Sequence, residues 1–255
     1  MAVDYNRLAD RFDERYQHVT YAGVLAQLRR LIDHPGLDAL EVGCGTGHWL
    51  AALSDLGARL LGVDPSSAML HKARSKAPKA ALVCARAEQL PFSCDSLDLI
   101  FCVNAFHHFS DAKKFLRDAR LLLRNEGHLA IFGLDPHAPE TNWYLYDYFS
   151  GLREIDLQRF LSRAEIGRAL VEAGFQDVVT TTAERIQKTY SGREVLGDPF
   201  LDRTSTSQLQ LISEEVYTQG KRAIISRFET DNESTGEVRF VIDTPLFATI
   251  AKRKN

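Results

Sequence analysis

The stretch Leu40 to His48, LEVGCGTGH, constrains this chain more than any other, because an apolar run stops there at three glycines set every second residue. Such a run predicts a strand breaking into a tight turn, and His48, Trp49, Leu50, Ala51, Ala52 and Leu53 then read as the opening of a helix. Lacking a Cβ, Gly43, Gly45 and Gly47 can take positive φ and let a ligand lie against the backbone, with the first N–H groups of the helix behind it. A small anionic or zwitterionic ligand is expected. The spacing narrows the choice. Dinucleotide loops use G-x-G-x-x-G, whereas here the pattern is G-x-G-x-G and His48 stands where a nicotinamide site needs its last glycine.

At 255 residues and 45% hydrophobic composition the chain can bury the core of one large α/β domain with insertions. Its net charge of -3, with lysines and arginines scattered, offers no basic field for a polynucleotide, so no nucleic-acid partner is expected. No apolar run approaches the ~20 residues of a membrane span. The opening MAVDYNRLADRFDERY is charged from Asp4 onward, unlike a secretory leader, and a cytoplasmic protein is expected. Cys44, Cys84, Cys94 and Cys102 form no C-x-x-C pair, which predicts buried small hydrophobes rather than a metal or disulfide site.

Along the chain, Asp4 can cap a helix whose Tyr5, Leu8, Ala9, Phe12 and Tyr16 share one face, and Tyr21 to Ile32 reads as a second amphipathic helix before the His34-Pro35-Gly36 breaker. Residues 1–36 are thus expected to be helical, ahead of the core sheet. Strands are expected at Arg59 to Val63, Ala81 to Cys84, Ser96 to Phe109 and His128 to Leu134, with helices from about Ser66 and over Asp111 to Leu123 between them. Strand and helix in alternation argue for a doubly wound parallel sheet. Asp64 falls at a strand tip, 17 positions after Gly47 (64 − 47), near the offset at which a carboxylate accepts from a ribose diol. The polar end of the fourth strand supplies Asn104, His107 and His108 on the sheet edge where ligands of α/β sheets bind.

Beyond Leu134 the aromatic run NWYLYDYF, Asn142 to Phe149, is the candidate pocket for a small molecule, since aromatic rings suit an apolar molecule with a few polar groups. A helix over Ala164 to Ala173 and a strand over Gln176 to Ala183 follow, the strand's partner being Val238 to Ala251, with Pro245 marking an edge or bulge. The roughly fifty residues between, Ile186 to Gly236, include a helix from Ser213 with Val216, Gly220, Ile224 and Phe228 in one stripe, and read as a lid or an oligomer surface. Leu196, Phe200 and Leu201 are expected to meet the Trp143 to Phe149 cluster on closure.

The glycine loop, Asp64, the CARAEQLPF turn at Cys84 to Phe92 and the Asn104 to His108 corner, in this order, together resemble class I S-adenosylmethionine-dependent methyltransferases of the type 11 group. The resemblance implies a seven-stranded, Rossmann-like, mostly parallel α/β sheet whose last strand is antiparallel, forming a single methyltransferase domain over 1–255. It implies S-adenosylmethionine as cofactor, held by Tyr16, Glu41, Gly43, Cys44, Gly45, Gly47, Asp64, Pro65, Met69, Ala87, Glu88 and Asn104. Type 11 chains carry an acidic residue where this one has Arg86, so the adenine amine is left to Glu88 or to backbone. His107 or His108 would face the acceptor, a histidine being suited to removing a proton near neutral pH. The expected reaction moves a methyl group to an O, N or C atom of a small aromatic or lipid-like molecule, in a monomer or homodimer. The rival reading is a regulatory protein that binds the cofactor without catalysis.

Overall fold

The apolar run before the glycines is β1, Asp38–Val42, buried along its whole length between two parallel neighbours. Parallel strands covered on both faces call for near-continuous hydrophobic sequence, which LLGV and LIFCV supply, while β1 buries Asp38 and Glu41 among its apolar residues. The computed structural model describes residues 13, 16, 20–203, 206–230 and 238–254. These form two compact units, one from Tyr21–Asp135, Leu161–Glu184 and Leu246–Asn255, the other from Met1–Thr20, Pro136–Phe160 and Arg185–Pro245.

The first unit holds α1 (Ala22–Leu31), β1, α2 (His48–Ala52), β2 (Arg59–Asp64), α3 (Ser67–Lys76), β3 (Ala81–Cys84), β4 (Leu97–Val103), a 3-10 turn at Phe106–His108, α4 (Ala112–Leu122), β5 (Leu123–Leu134) and α7 (Arg163–Glu172). Strand order is β3-β2-β1-β4-β5-β8, where β8 (Arg239–Lys252) runs antiparallel to β5 and also pairs with β7 (Gln176–Ser191). Side chains start the helices as caps: Ser66 Oγ accepts from Met69 N, Asp111 from Lys114 N, and Ser162 with Glu165 closes a capping box. On α4, Phe115, Leu116, Ala119 and Leu122 are buried against the sheet, with Leu40, Ile100 and Leu129 in the same core.

Three boundaries differ from the sequence reading, one being β7, which runs on to Ser191, eight residues past the expected Ala183 and into the expected insertion. β4 ends at Val103, so His107 and His108 ride on the 3-10 turn rather than on a strand. β5 begins at Leu123, five residues early, because Arg124 bridges Asp98 (2.6 Å) and Asp38 (2.9 Å) and the ladder skips from Leu123 to His128 over a positive-φ Glu126.

The second unit adds β6 (Asn142–Trp143), α5 (Leu145–Tyr148), α6 (Leu152–Arg159), α8 (Ser207–Gln210) and α9 (Glu214–Thr230). β6 pairs with the first part of β8, so the expected seven strands gain a short eighth. The aromatic run is the core of this unit rather than an open pocket: Trp143, Tyr144, Leu145 and Phe149 are buried with Leu209, Ile224 and Phe240. Phe200 and Leu201 already belong to that cluster, with the Phe200 ring 6.1 Å from Trp143, so their meeting requires no closure; Leu196 is exposed. Two tyrosine hydroxyls inside it donate to carboxylates, Tyr144 to Asp198 (2.7 Å) and Tyr146 to Asp156 (2.9 Å). Burial pushes the Asp156 carboxyl up to about 6. The helix expected from Asp4 lies mostly outside the described residues; Tyr16 is helical, and its N–H donates to Asp13 O (3.0 Å).

Candidate active site

At the tip of β1 the chain turns on Gly43 (φ 76°), Gly45 (φ 52°) and Gly47 (φ 77°), all in the left-handed region that favours glycine. The turn is stitched to the next strand by Gly43 N and Cys44 N, both donating to Val63 O (2.8 and 3.0 Å). A Cβ on Gly43 would lie 2.6 Å from Ala105 Cβ, and one on Gly47 would meet Ala73 Cβ at 3.0 Å. The outer two glycines therefore let the corner after β4 and helix α3 close in on the loop. The middle one differs: Gly45 N donates to Asp64 Oδ2 (2.9 Å), while Asp64 Oδ1 accepts from Ser66 N (2.8 Å). A carboxylate has about four acceptor sites, so two further donors can be served there. Burial raises the Asp64 pKa, opposed by those two backbone N–H groups.

Behind the loop Glu41 is buried; it accepts from Leu50 N, and its Oε2 has no hydrogen-bond partner. Burial, and next the charge of Asp64, hold its pKa well above the carboxylate range. Burial likewise pushes the Cys44 and Cys102 thiols up, so both are packing atoms, while Cys84 and Cys94 lie on the surface rather than in the core. Helix α2 has five residues, its N-cap Gly47 has no side chain, and Glu41 takes the Leu50 N–H, so two buried acidic groups, Glu41 and Asp64, lie behind the loop.

Asn104, another tip residue, has φ 51° and donates its N–H to Phe132 O (2.8 Å). This is a conformation Asn tolerates better than most residues. The rings of His107 and His108 sit 3.9 Å apart, tilted by 48°. In the turn after β3, Ala87 is buried and Arg86 exposed, and Glu88 Oε1 accepts from Ser110 N, Ser110 Oγ and Asp111 N. Burial raises the Glu88 pKa, but hydrogen bonds from its own backbone, Asp111 and Ser110 outweigh it and leave the carboxyl below its ordinary value.

The structure thus joins Glu41, Gly43, Cys44, Gly45, Gly47 and Asp64 at two neighbouring strand tips, and Ala105 against Gly43 brings the Asn104 corner beside them. Pro65 is exposed next to Asp64, Met69 is sealed in the core, and Tyr16 belongs to the other unit. Sequence reading missed Ser66, Ala73, Ala105 and Ser110. The small residues leave a trace in hindsight, since glycines at close approaches need small partners.

A family model described as a methyltransferase domain matches residues 40–131. The uncharacterized methyltransferase YcgJ of Bacillus subtilis is 37% identical over 106 residues, 40% of this chain and 41% of that protein, so the chain spans well under half the length of this relative. The uncharacterized methyltransferase sll0829 of Synechocystis is 31% identical over 58% of this chain and 71% of its own length. The chain belongs to the class I S-adenosylmethionine-dependent methyltransferases. Among further relatives of the methyltransferase, the malonyl-[acyl-carrier protein] O-methyltransferase of Halorhodospira halophila is 31% identical over 76% of this chain and 67% of that one. The solved structure of the YcgJ protein superposes with a TM-score of 0.57 at 18% identity, covering 91% of this chain and 98% of the other, and so shares the fold. The methyltransferase uses S-adenosylmethionine. A cofactor with a sulfonium, an ammonium and a ribose diol suits a loop backed by Glu41, whose Oε2 lacks a partner, and by Asp64, with two acceptor sites to spare.

Proposed function

We propose that the enzyme methylates an O, N or C atom of a small-molecule acceptor with an acyl or other lipid-like part. The observation that carries the reading is the bonded pair of Gly45 N and Asp64 at adjoining strand tips, backed by the buried Glu41. In this reading Asp64 receives the ribose hydroxyls, the apolar turn with Ala87, Leu90 and Phe92 seats the adenine, and Asn104 lines the methionine end. When bound, the cofactor supplies a methyl group on a sulfonium, already a good leaving group. The chain's own residues mainly orient the two reactants at ~3–3.5 Å and strip water. His107 or His108 is the candidate to take the acceptor's proton, a helpful but optional step.

The acceptor is chosen by residues 137–163 and 186–236, where this chain is least generic. Relatedness to the Halorhodospira malonyl-[acyl-carrier protein] O-methyltransferase supports an acyl acceptor. The test is incubation with methyl-labelled S-adenosylmethionine and a metabolite extract, followed by mass spectrometry. One small molecule should gain the label while S-adenosylhomocysteine accumulates in equal amount. Cofactor binding with no labelled product in any fraction would favour a regulatory cofactor-binding protein instead.

A further inference from the structure

Glu88 does no work in that account. It is half-buried in the turn after β3, and its Oε1 is turned to another element, accepting from Ser110 N (2.6 Å), Ser110 Oγ (2.9 Å) and Asp111 N (3.2 Å). Ser110 and Asp111 follow closely on the Phe106–His108 turn, and Asp111 caps α4 through Lys114 N (2.8 Å). Hydrogen bonds to an ionised acceptor are roughly twice as strong as neutral ones, and this carboxylate collects three on one atom. The same two segments share apolar contacts, with Leu90 and Phe92 from one and Phe109 from the other on the core that holds Phe106. Phe109 in turn lies 5.6 Å from the Phe106 ring and 4.7 Å from Phe115.

We propose that Glu88 is a positioning residue that couples cofactor occupancy of the turn at residues 85–92 to the orientation of His107 and His108, so that the acceptor corner is set once the cofactor is seated. This rests on reading that turn as the adenine seat and that corner as the acceptor side. Glu88 then acts through Ser110 and Asp111 and does not touch the cofactor. The link is short: one side chain spans the two segments, so the turn cannot shift without drawing Ser110 and the adjoining histidines with it.

All three donors meet on Oε1, so Glu88→Gln keeps an acceptor in place while Glu88→Ala loses it. The readouts are S-adenosylhomocysteine affinity by calorimetry and the imidazole Cε1–H signals of His107 and His108 by NMR, with and without S-adenosylhomocysteine. In wild type and Glu88→Gln the ligand should shift both histidine signals. In Glu88→Ala it should bind within about tenfold of wild type yet produce less than half the shift. Wild-type shifts in Glu88→Ala would overturn the coupling, and an affinity loss beyond about tenfold would make Glu88 a cofactor contact instead. Should Glu88→Ala not fold, Ser110→Ala removes one of the three bonds and should diminish the shift; an undiminished shift would equally overturn the proposal. Absence of binding to wild type would overturn the cofactor reading itself, a failure that calorimetry separates from loss of coupling.

Discussion

At the scale of the residue, the carboxylates around the glycine loop trade stability for binding. Glu41 has a folded pKa raised above its unfolded one, first by burial and then by Asp64. Its contribution therefore favours the fold while the group is protonated and is lost as pH rises through the folded value. Glu41→Gln keeps the bond from Leu50 N and removes the charge, so the ligand-free protein should melt higher than wild type at about pH 8 and level with it near pH 4. The same variant should weaken S-adenosylmethionine by about tenfold or more, and S-adenosylhomocysteine, which lacks the sulfonium, by less. Melts that differ equally at both pH values would contradict the assignment. Gly45→Val should abolish cofactor binding while circular dichroism stays near wild type, because a β-branched residue cannot take φ 52°. His107→Gln and His108→Gln should each lower turnover by less than about tenfold, since orientation supplies most of the rate; a fall of ~10²–10⁴ in either would make it the general base.

At the scale of the element, glycine spacing and apolar runs were legible because parallel strands buried on both faces write their burial into sequence. β1, β2 and β3 stand where Leu40, Arg59 and Ala81 were read, and Ser213 begins α9, its Oγ accepting from Val216 N (3.2 Å). The end of β4 was not legible, since in FCVNAFHHF apolar residues recur on both sides of Asn104, through a strand and a 3-10 turn alike. The early start of β5 was hidden because Arg124, in a polar run that read as a helix end, is fixed by long-range pairs with Asp38 and Asp98. Gly220 shows the same limit. Its place in a helical stripe was visible, but its reason is tertiary: a Cβ there would lie 2.4 Å from Phe149 Cδ1 and 2.8 Å from Tyr148 O, where α9 crosses α5. Gly220→Ala should thus destabilise by about 1–3 kcal/mol despite alanine's better helix propensity, as thermal melts would show. A raised melting temperature would mean that the crossing is looser than described.

At the scale of the whole molecule, the described residues fall into two compact units with one tryptophan in each, Trp49 in the sheet unit and Trp143 in the aromatic cluster. Composition could not disclose this division, because both cores draw on the same apolar residues and the second is assembled from segments 136–160 and 185–245, far apart in sequence. Trp143→Phe leaves Trp49 to report the sheet unit, and Trp49→Phe leaves Trp143 to report the other. Their urea transitions should not coincide, and S-adenosylhomocysteine at 100 times its Kd should stabilise the Trp49-reported transition by about 2.7 kcal/mol. Coincident transitions shifted equally would show one cooperative body. The central claim, that the tips of β1 and β2 hold the cofactor, is tested most directly by calorimetric titration of S-adenosylhomocysteine into wild type and Asp64→Ala. The account predicts saturable binding to wild type and a loss of about 1.5–3 kcal/mol, roughly 10- to 150-fold, in the variant. Equal affinities in two folded proteins would contradict it.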